Sequence, residues 1–350
     1  MLDNQNYDVN MNKLALSLSN KFLGLVLLPT EKCNFRCTYC YEDYKIGRMV
    51  DSTTEAIKNF LQKRTSDPEL EYLHIGWFGG EPLIEHDIVF DILSYAKQKC
   101  DENNVTLISD MTTNGYLLTK PIFDKLISLN LKHFQVSLDG PKELHDLSRI
   151  RADKKGTFDV IWKNLLDMRE NKEKFVVILR VHITPENKDH IKKLINQIGD
   201  NFPDDPRFKV FIRGISNLGG SKSDSIKIVD KNKQQEIILE MLELLSERHL
   251  TPYVLEDKEQ GSYICYASSP NQFIIRADGS IAKCTVAFDK EINRVGQVNA
   301  DGTLDVDQEK FNFWVRGLKT IDKKSLRCPF FSSKLCSDIK CQTAGEEDKI

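Results

Sequence analysis

Three cysteines, Cys33, Cys37 and Cys40, fall within eight residues of the stretch CNFRCTYCYE. Thiolates are soft ligands, suited to zinc or to iron–sulfur clusters. A structural zinc site usually closes with four ligands, commonly supplied as separated pairs. Three thiolates on one tight loop instead suit three corners of a cubane, and they leave the fourth iron for something other than protein. The chain has nine cysteines. Cys100 stands alone and ends an amphipathic helical stretch, where a small apolar packing role is expected. Cys265, Cys284, Cys328, Cys336 and Cys341 all lie near the far end.

Something must hold that first loop in place. It follows FLGLVLL, a continuous apolar run of the kind found in strands covered on both faces. Five more strand-like runs follow: EYLHIGWF, VTLISDMTTNG, KHFQVSLDGP, FVVILRVHI and RFKVFIRGI. Helical patterns alternate with them. DSTTEAIKNFLQKR carries a capping signature at Asp51 to Thr54, and TKPIFDKLISLN has Thr119 as N-cap with Pro121 in the first turn. Six strands alternating with helices predict an α/β fold built as a partial (β/α)6 TIM-like barrel. Catalytic groups in such barrels sit at the carboxyl ends of the strands. The cysteine loop, GGEP, TTNG and SLDGP all follow successive strands, and so fall on that rim.

Four segments are expected: an N-terminal extension at 1–20, the barrel at 21–216, a linker and bridging helix at 217–252, and a cysteine-rich domain at 253–350. The linker begins with the polar SNLGGSKSDS, and the ADG turn in NQFIIRADGSIAKC predicts a hairpin. Net charge is -3, which gives no electrostatic case for nucleic acid or an anionic membrane. No signal peptide or membrane-length apolar run is visible, so a cytoplasmic protein is expected. In that reducing setting, cysteines are read as metal ligands and not as disulfides.

CNFRCTYC, a C-x3-C-x2-C run with an aromatic before the last cysteine, resembles the signature of the radical S-adenosylmethionine (SAM) superfamily. WFGGEPL, MTTNG, VSLDGP and HDLSRIRADKKGTFD resemble further motifs of that family in the same order, and the resemblance runs from about Phe22 to Cys341. It implies that Cys33, Cys37 and Cys40 hold a [4Fe–4S] cluster whose fourth iron is chelated by SAM. One-electron reduction would then give a 5'-deoxyadenosyl radical that removes a substrate hydrogen. The resemblance places Tyr39 near the adenine and Gly79, Gly80 and Glu81 near the methionine amine. Ser137 falls at the ribose or carboxylate side, Arg149 or Arg151 at the carboxylate, and Arg180 at the cofactor from the fifth strand.

Cys265 to Cys284 reads C-x13-G-x4-C with Gly279 at the turn, and resembles the start of a SPASM or twitch extension. This implies an auxiliary [4Fe–4S] cluster held by Cys265, Cys284 and two of Cys328, Cys336 and Cys341, with zinc as the alternative. The tail spacing, C-x7-C-x4-C, departs from the family pattern. The resemblance further implies a peptide or protein substrate and a one-electron donor such as ferredoxin or flavodoxin. Oxidative crosslinking of a ribosomally made peptide is the expected reaction. Sulfatase maturation is the alternative, weakened because Thr285 stands where maturases carry an aspartate. A non-catalytic regulatory or defence protein on the same fold is a third reading. Only 32 residues precede Cys33, too few for a leader-binding domain.

Overall fold

The computed structural model describes residues 11–219, 225–253 and 263–333. They form one sheet of 11 strands. Its centre is six parallel strands in sequence order: β1 (Phe22–Leu27), β2 (Tyr72–Trp77), β3 (Thr106–Thr113), β4 (Leu131–Leu138), β5 (Val176–Ile183) and β6 (Phe208–Gly214). The six apolar runs of the sequence are these six strands. Their outward side chains, among them Leu25, Leu27, Leu73, Ile75, Leu179 and Val181, are fully buried against the covering helices.

Helices α2 (Asp51–Thr65), α3 (His86–Asn103), α4 (Lys120–Ser128), α5 (Lys142–Ser148), α6 (Phe158–Arg169) and α7 (Ile191–Asn201) fill the crossovers, after a short α1 (Met11–Leu18). α2 starts one residue earlier than its capping signature suggests. Val50 is the N-cap, and no side chain caps the helix. Asp51 instead lies in the first turn, where its charge offsets the positive end of the helix dipole. Thr119 does occupy the N-cap of α4, again without a side-chain bond. Cys100 is buried on α3, as its apolar reading requires.

The cysteine-rich segment continues the same sheet. A two-residue β7 (Thr251–Pro252), reached through α8 (Lys231–Glu247), joins the β6 edge. At the opposite edge, β8 (Gln272–Ile275) pairs in parallel with β1, Leu27 opposite Ile275. β9 (Ser280–Ala282), β10 (Gly296–Val298) and β11 (Leu304–Val306) follow antiparallel. Gly279 turns the β8–β9 hairpin with a φ of +78°, a conformation that costs glycine little. A second small core, with Ala267, Ile281, Val295, Trp314 and Phe330, sits under this extension. Pairing β8 with β1 sets the second cysteine group beside the first, because the first cysteine loop leaves the carboxyl end of that same β1.

Candidate active site

The first cysteine loop is held by backbone zippering to the segment after α5. Arg36 N donates to Ile150 O at 2.8 Å, Thr38 N to Ser148 O at 3.0 Å, and Ala152 N to Asn34 O at 2.8 Å. Phe35 anchors the loop in the core with no exposed surface. Cys33, Cys37 and Cys40 remain half-buried and line one cavity of about 360 Å³ at the carboxyl ends of the strands. Burial pushes the Cys37 thiol up to about 11, with Arg149 partly opposing it. Burial raises Cys33 and Cys40 as well. The protein alone therefore favours neutral thiols at pH 7, and thiolates need a bound cation to form.

Gly79 and Gly80 line the same cavity. A Cβ on Gly80 would meet Glu31 O and Lys32 O at 2.5 Å, and one on Gly79, whose φ is +121°, would overlap Thr30 O. These glycines are required by the close passage of the cysteine loop behind them. Glu81, expected at the cofactor, is turned the other way. Its buried carboxylate accepts from Thr113 Oγ1 at 2.8 Å, from Leu83 N at 3.1 Å and from Asn114 N at 2.7 Å. It ties the β2 turn to the β3 turn, and Thr113 and Asn114 line the cavity in its place.

Tyr39 lines the cavity with its ring while its hydroxyl enters a buried network. The hydroxyl donates to Asp139 Oδ2 at 2.7 Å, lies 3.1 Å from His182 Nδ1, and accepts from Arg149 Nη1 at 2.9 Å. Ser148 Oγ donates to the same Asp139 oxygen at 2.7 Å. Burial disfavours the Asp139 charge, but the His182 hydrogen bond and the Arg149 guanidinium hold its carboxyl well below the usual carboxylate range. His182 is pushed down to about 4 by burial and then by Arg180, so its ring is neutral at pH 7. With Asp139 ionised, His182 Nδ1 carries the hydrogen and donates to it at 3.1 Å. His182 had no motif to mark it, being an ordinary-looking strand residue, whereas Asp139 lies in the SLDGP run, where only Ser137 was singled out.

Arg149, Arg180 and Ser137 all line the cavity. Arg149 Nε and Arg180 Nε are buried without a hydrogen-bond partner. Arg151, the second carboxylate candidate, lies outside the cavity lining. It donates to the Tyr116 hydroxyl, pairs with Asp153 at 2.6 Å and covers the Tyr116 ring. That leaves Arg149 in the cavity and Arg151 on the outer side of the same turn.

Cys265, Cys284 and Cys328 come together at the β9 end of the hairpin, and burial followed by the Cys265 charge raises the Cys284 thiol. Cys336 and Cys341 lie outside the described residues. Asn293 staples the Cys284 loop, its Oδ1 accepting from Lys283 N at 3.0 Å and Cys284 N at 2.9 Å. Lys283 is fully buried, its ammonium donating to Ser269 O at 2.5 Å, and burial pushes it down to about 7. Thr285 and Val286 extend from this loop into the main cavity, and the Thr285 hydroxyl lies 2.9 Å from Tyr266 OH. Glu42 also reaches the cavity. Burial, then Glu31, pushes its carboxyl up to about 8. Among the described residues, no three His, Cys, Asp or Glu side chains close around a single metal ion, and no helix is long and apolar enough to cross a membrane.

Residues 27–198 match the model of the radical SAM superfamily. The chain is 23% identical to a cysteine-type anaerobic sulfatase-maturating enzyme of Clostridium perfringens over 350 aligned positions, 94% of this chain and 92% of that one. A second such enzyme, from Clostridium novyi, is 29% identical over 50% of this chain, and there the chain spans about half of the relative's length, 47%. Among solved structures, native anSMEcpe with bound AdoMet and Kp18Cys peptide superposes with a TM-score of 0.66 at 19% identity, covering 93% of this chain and 91% of that one. Streptococcus suis SuiB bound to its precursor peptide SuiA gives 0.57 at 16% identity, covering 87% and 68%. At these identities the structural likenesses establish the fold.

Proposed function

This chain carries a radical SAM domain, and from that premise we propose that it removes a hydrogen atom from a peptide or protein side chain, with oxidative crosslinking or similar modification of a ribosomally made peptide as the outcome. The observation that carries the reading is the shared cavity. Three thiols of one loop, two arginines that each keep a buried Nε without a partner, and a loop from the second cysteine group all line it.

The residues present fit the two groups the family implies. Three thiols supplied by one loop suit a cluster that keeps one iron open. The unpartnered Arg149 Nε suits the carboxylate of an amino-acid ligand, since a buried donor left unbonded costs about 1–3 kcal/mol. The bound cluster and SAM would supply one-electron cleavage and a carbon radical for hydrogen abstraction, with the electron delivered by a ferredoxin- or flavodoxin-type donor. Cys33, Cys37 and Cys40 would hold the cluster. Tyr39, fixed by Asp139 and Arg149, would offer its ring to the adenine, and Ser137 its hydroxyl to the ribose. The backbone at Gly79 and Gly80, with Thr113 and Asn114, would receive the methionine amine. Glu81 and Arg151 serve as positioning residues for those turns. Cys265, Cys284 and Cys328 would hold an auxiliary [4Fe–4S] cluster whose loop closes the cavity with Thr285 and Val286.

Sulfatase maturation is a second reading, favoured by the near full-length similarity to a maturating enzyme. Thr285 weighs against it, because a hydroxyl shared with Tyr266 replaces a carboxylate at that position. Mass spectrometry after anaerobic co-expression separates the two. A crosslinked peptide loses two hydrogens and nothing else, whereas a maturated sulfatase cysteine loses two hydrogens and also exchanges its sulfur for an aldehyde oxygen. Unchanged peptides and unchanged sulfatases alike would overturn the peptide-modifying proposal for the partners encoded beside the gene.

A further inference from the structure

The cavity carries more positive charge than an amino-acid cofactor requires. Among the described residues, Arg149, Arg180 and Arg213 all line it, against a single carboxyl, that of Glu42. Arg149 lies on the cysteine side: the Cys37 thiol acts on its charge, and its guanidinium stands 5.7 Å over the Phe35 ring of the cysteine loop. Arg180 and Arg213 belong to neighbouring strands. In the β5–β6 register Arg180 pairs with Phe211 and His182 with Arg213, so the two arginines are one step apart on the same inner face. The groups acting on Arg180 are Arg213, Tyr39, Tyr41 and Arg149, with no thiol among the foremost. Two guanidinium groups side by side in a low-dielectric wall repel each other, and Arg180 Nε is buried without a hydrogen-bond partner. Ile215, Ser216 and Leu218 of the segment after β6 line the cavity with them.

We infer that Arg180 and Arg213 form a substrate subsite for a carboxylate, so that the enzyme takes acidic substrates, distinct from the cofactor carboxylate held at Arg149. The inference rests on the radical SAM reading and narrows its substrate class to a peptide presenting an aspartate, a glutamate or a free carboxyl terminus near the hydrogen to be removed. A planar guanidinium matches a carboxylate in charge and geometry, and a carboxylate bound between the two lessens their mutual repulsion. Arg180, first assigned to the cofactor from its place on the fifth strand, is thereby assigned to substrate.

The test uses the anaerobically reconstituted, SAM-loaded protein and three probes: acetyl-glutamate amide, acetyl-glutamine amide, and acetyl-glutamine with a free carboxyl terminus. Calorimetric titration is expected to show one of the two acids binding at least about 10-fold tighter than the neutral amide, and which acid wins identifies side chain or terminus. Arg213→Gln and Arg180→Gln are expected to remove that preference, while Arg213→Lys retains part of it and controls for folding. Equal binding of all three probes to the wild type overturns the subsite. So does a loss of SAM affinity in Arg180→Gln and Arg213→Gln as large as that in Arg149→Gln, because the pair would then serve the cofactor. Tighter binding of tripolyphosphate than of either acid would also overturn it. SAM cleavage measured on the same preparations keeps the two proposals apart: if no 5'-deoxyadenosine forms, the radical SAM reading fails, whatever the probes do.

Discussion

Arg149 Nη1 donates to the Tyr39 hydroxyl at 2.9 Å, so the aromatic between the second and third cysteines is tied to a guanidinium from the turn after α5. The arginine's Nε is buried without a hydrogen-bond partner, and the residue lines the cavity. One residue thus braces the cysteine loop and offers a charge to an anionic ligand.

Arg149→Gln is therefore expected to weaken SAM binding by roughly 10- to 100-fold, the equivalent of a charged hydrogen bond worth about 1.5–3 kcal/mol. Arg151→Gln, whose guanidinium rests on Tyr116, is expected to stay far closer to wild type. Equilibrium binding of SAM to the two reconstituted variants checks this. The assignment is wrong if Arg151→Gln loses more affinity than Arg149→Gln.

Iron content separates the two cysteine groups. Wild type is expected to hold about eight irons, as two [4Fe–4S] clusters. Replacing Cys265 and Cys284 by alanine should leave about four irons and the signals of the first cluster. Mössbauer spectra with zinc analysis decide. About four irons plus one zinc in the wild type would make the second site a zinc site.

Glu81→Gln tests the internal tie between the β2 and β3 turns. The carboxylate accepts three hydrogen bonds while fully buried. An amide cannot accept all of them, so a loss of about 1–3 kcal/mol in unfolding free energy is expected. Urea titration at pH 7.5 measures it. A midpoint equal to wild type would mean that Glu81 does not act through these turns.

His145 makes the fold sensitive to acid. It is fully buried between Asp139 N and Thr157 Oγ1, and burial pushes it down to about 4. Its ordinary value is about 6.5 in the unfolded chain. The unfolded state therefore binds the proton first, and stability falls as pH drops from about 6.5 towards 4. The full effect approaches about 3 kcal/mol at 1.36 kcal/mol per unit. His145→Asn should flatten this slope relative to wild type in urea titrations at pH 7.5 and 5. Parallel curves for the two proteins would contradict it.

Much of the architecture was legible in the sequence, for physical reasons that also mark where legibility stops. The six inner strands read as continuous apolar runs because helices cover their outer face. The cysteine loop read clearly because three thiols at fixed short spacing have few uses. The pairing of β8 with β1 was not legible, since partner choice across such a sequence distance depends on how the whole edge is filled. Arg149 and Arg151 look alike two residues apart, and only the position of Tyr116 sends one outward. Glu81 sits in a motif expected at the ligand, yet its side chain is claimed by Thr113 and Asn114. Arg213 carried no signal at all. An isolated arginine late on a strand reads as a solvated end, and its nearness to Arg180 exists only in the register.

The most direct test is the fate of SAM. Anaerobically reconstituted protein, given SAM and dithionite, should release 5'-deoxyadenosine, and the protein with Cys33, Cys37 and Cys40 all replaced by alanine should release none. Continued release by the triple variant, or none from a wild type carrying its full complement of iron, would contradict the account.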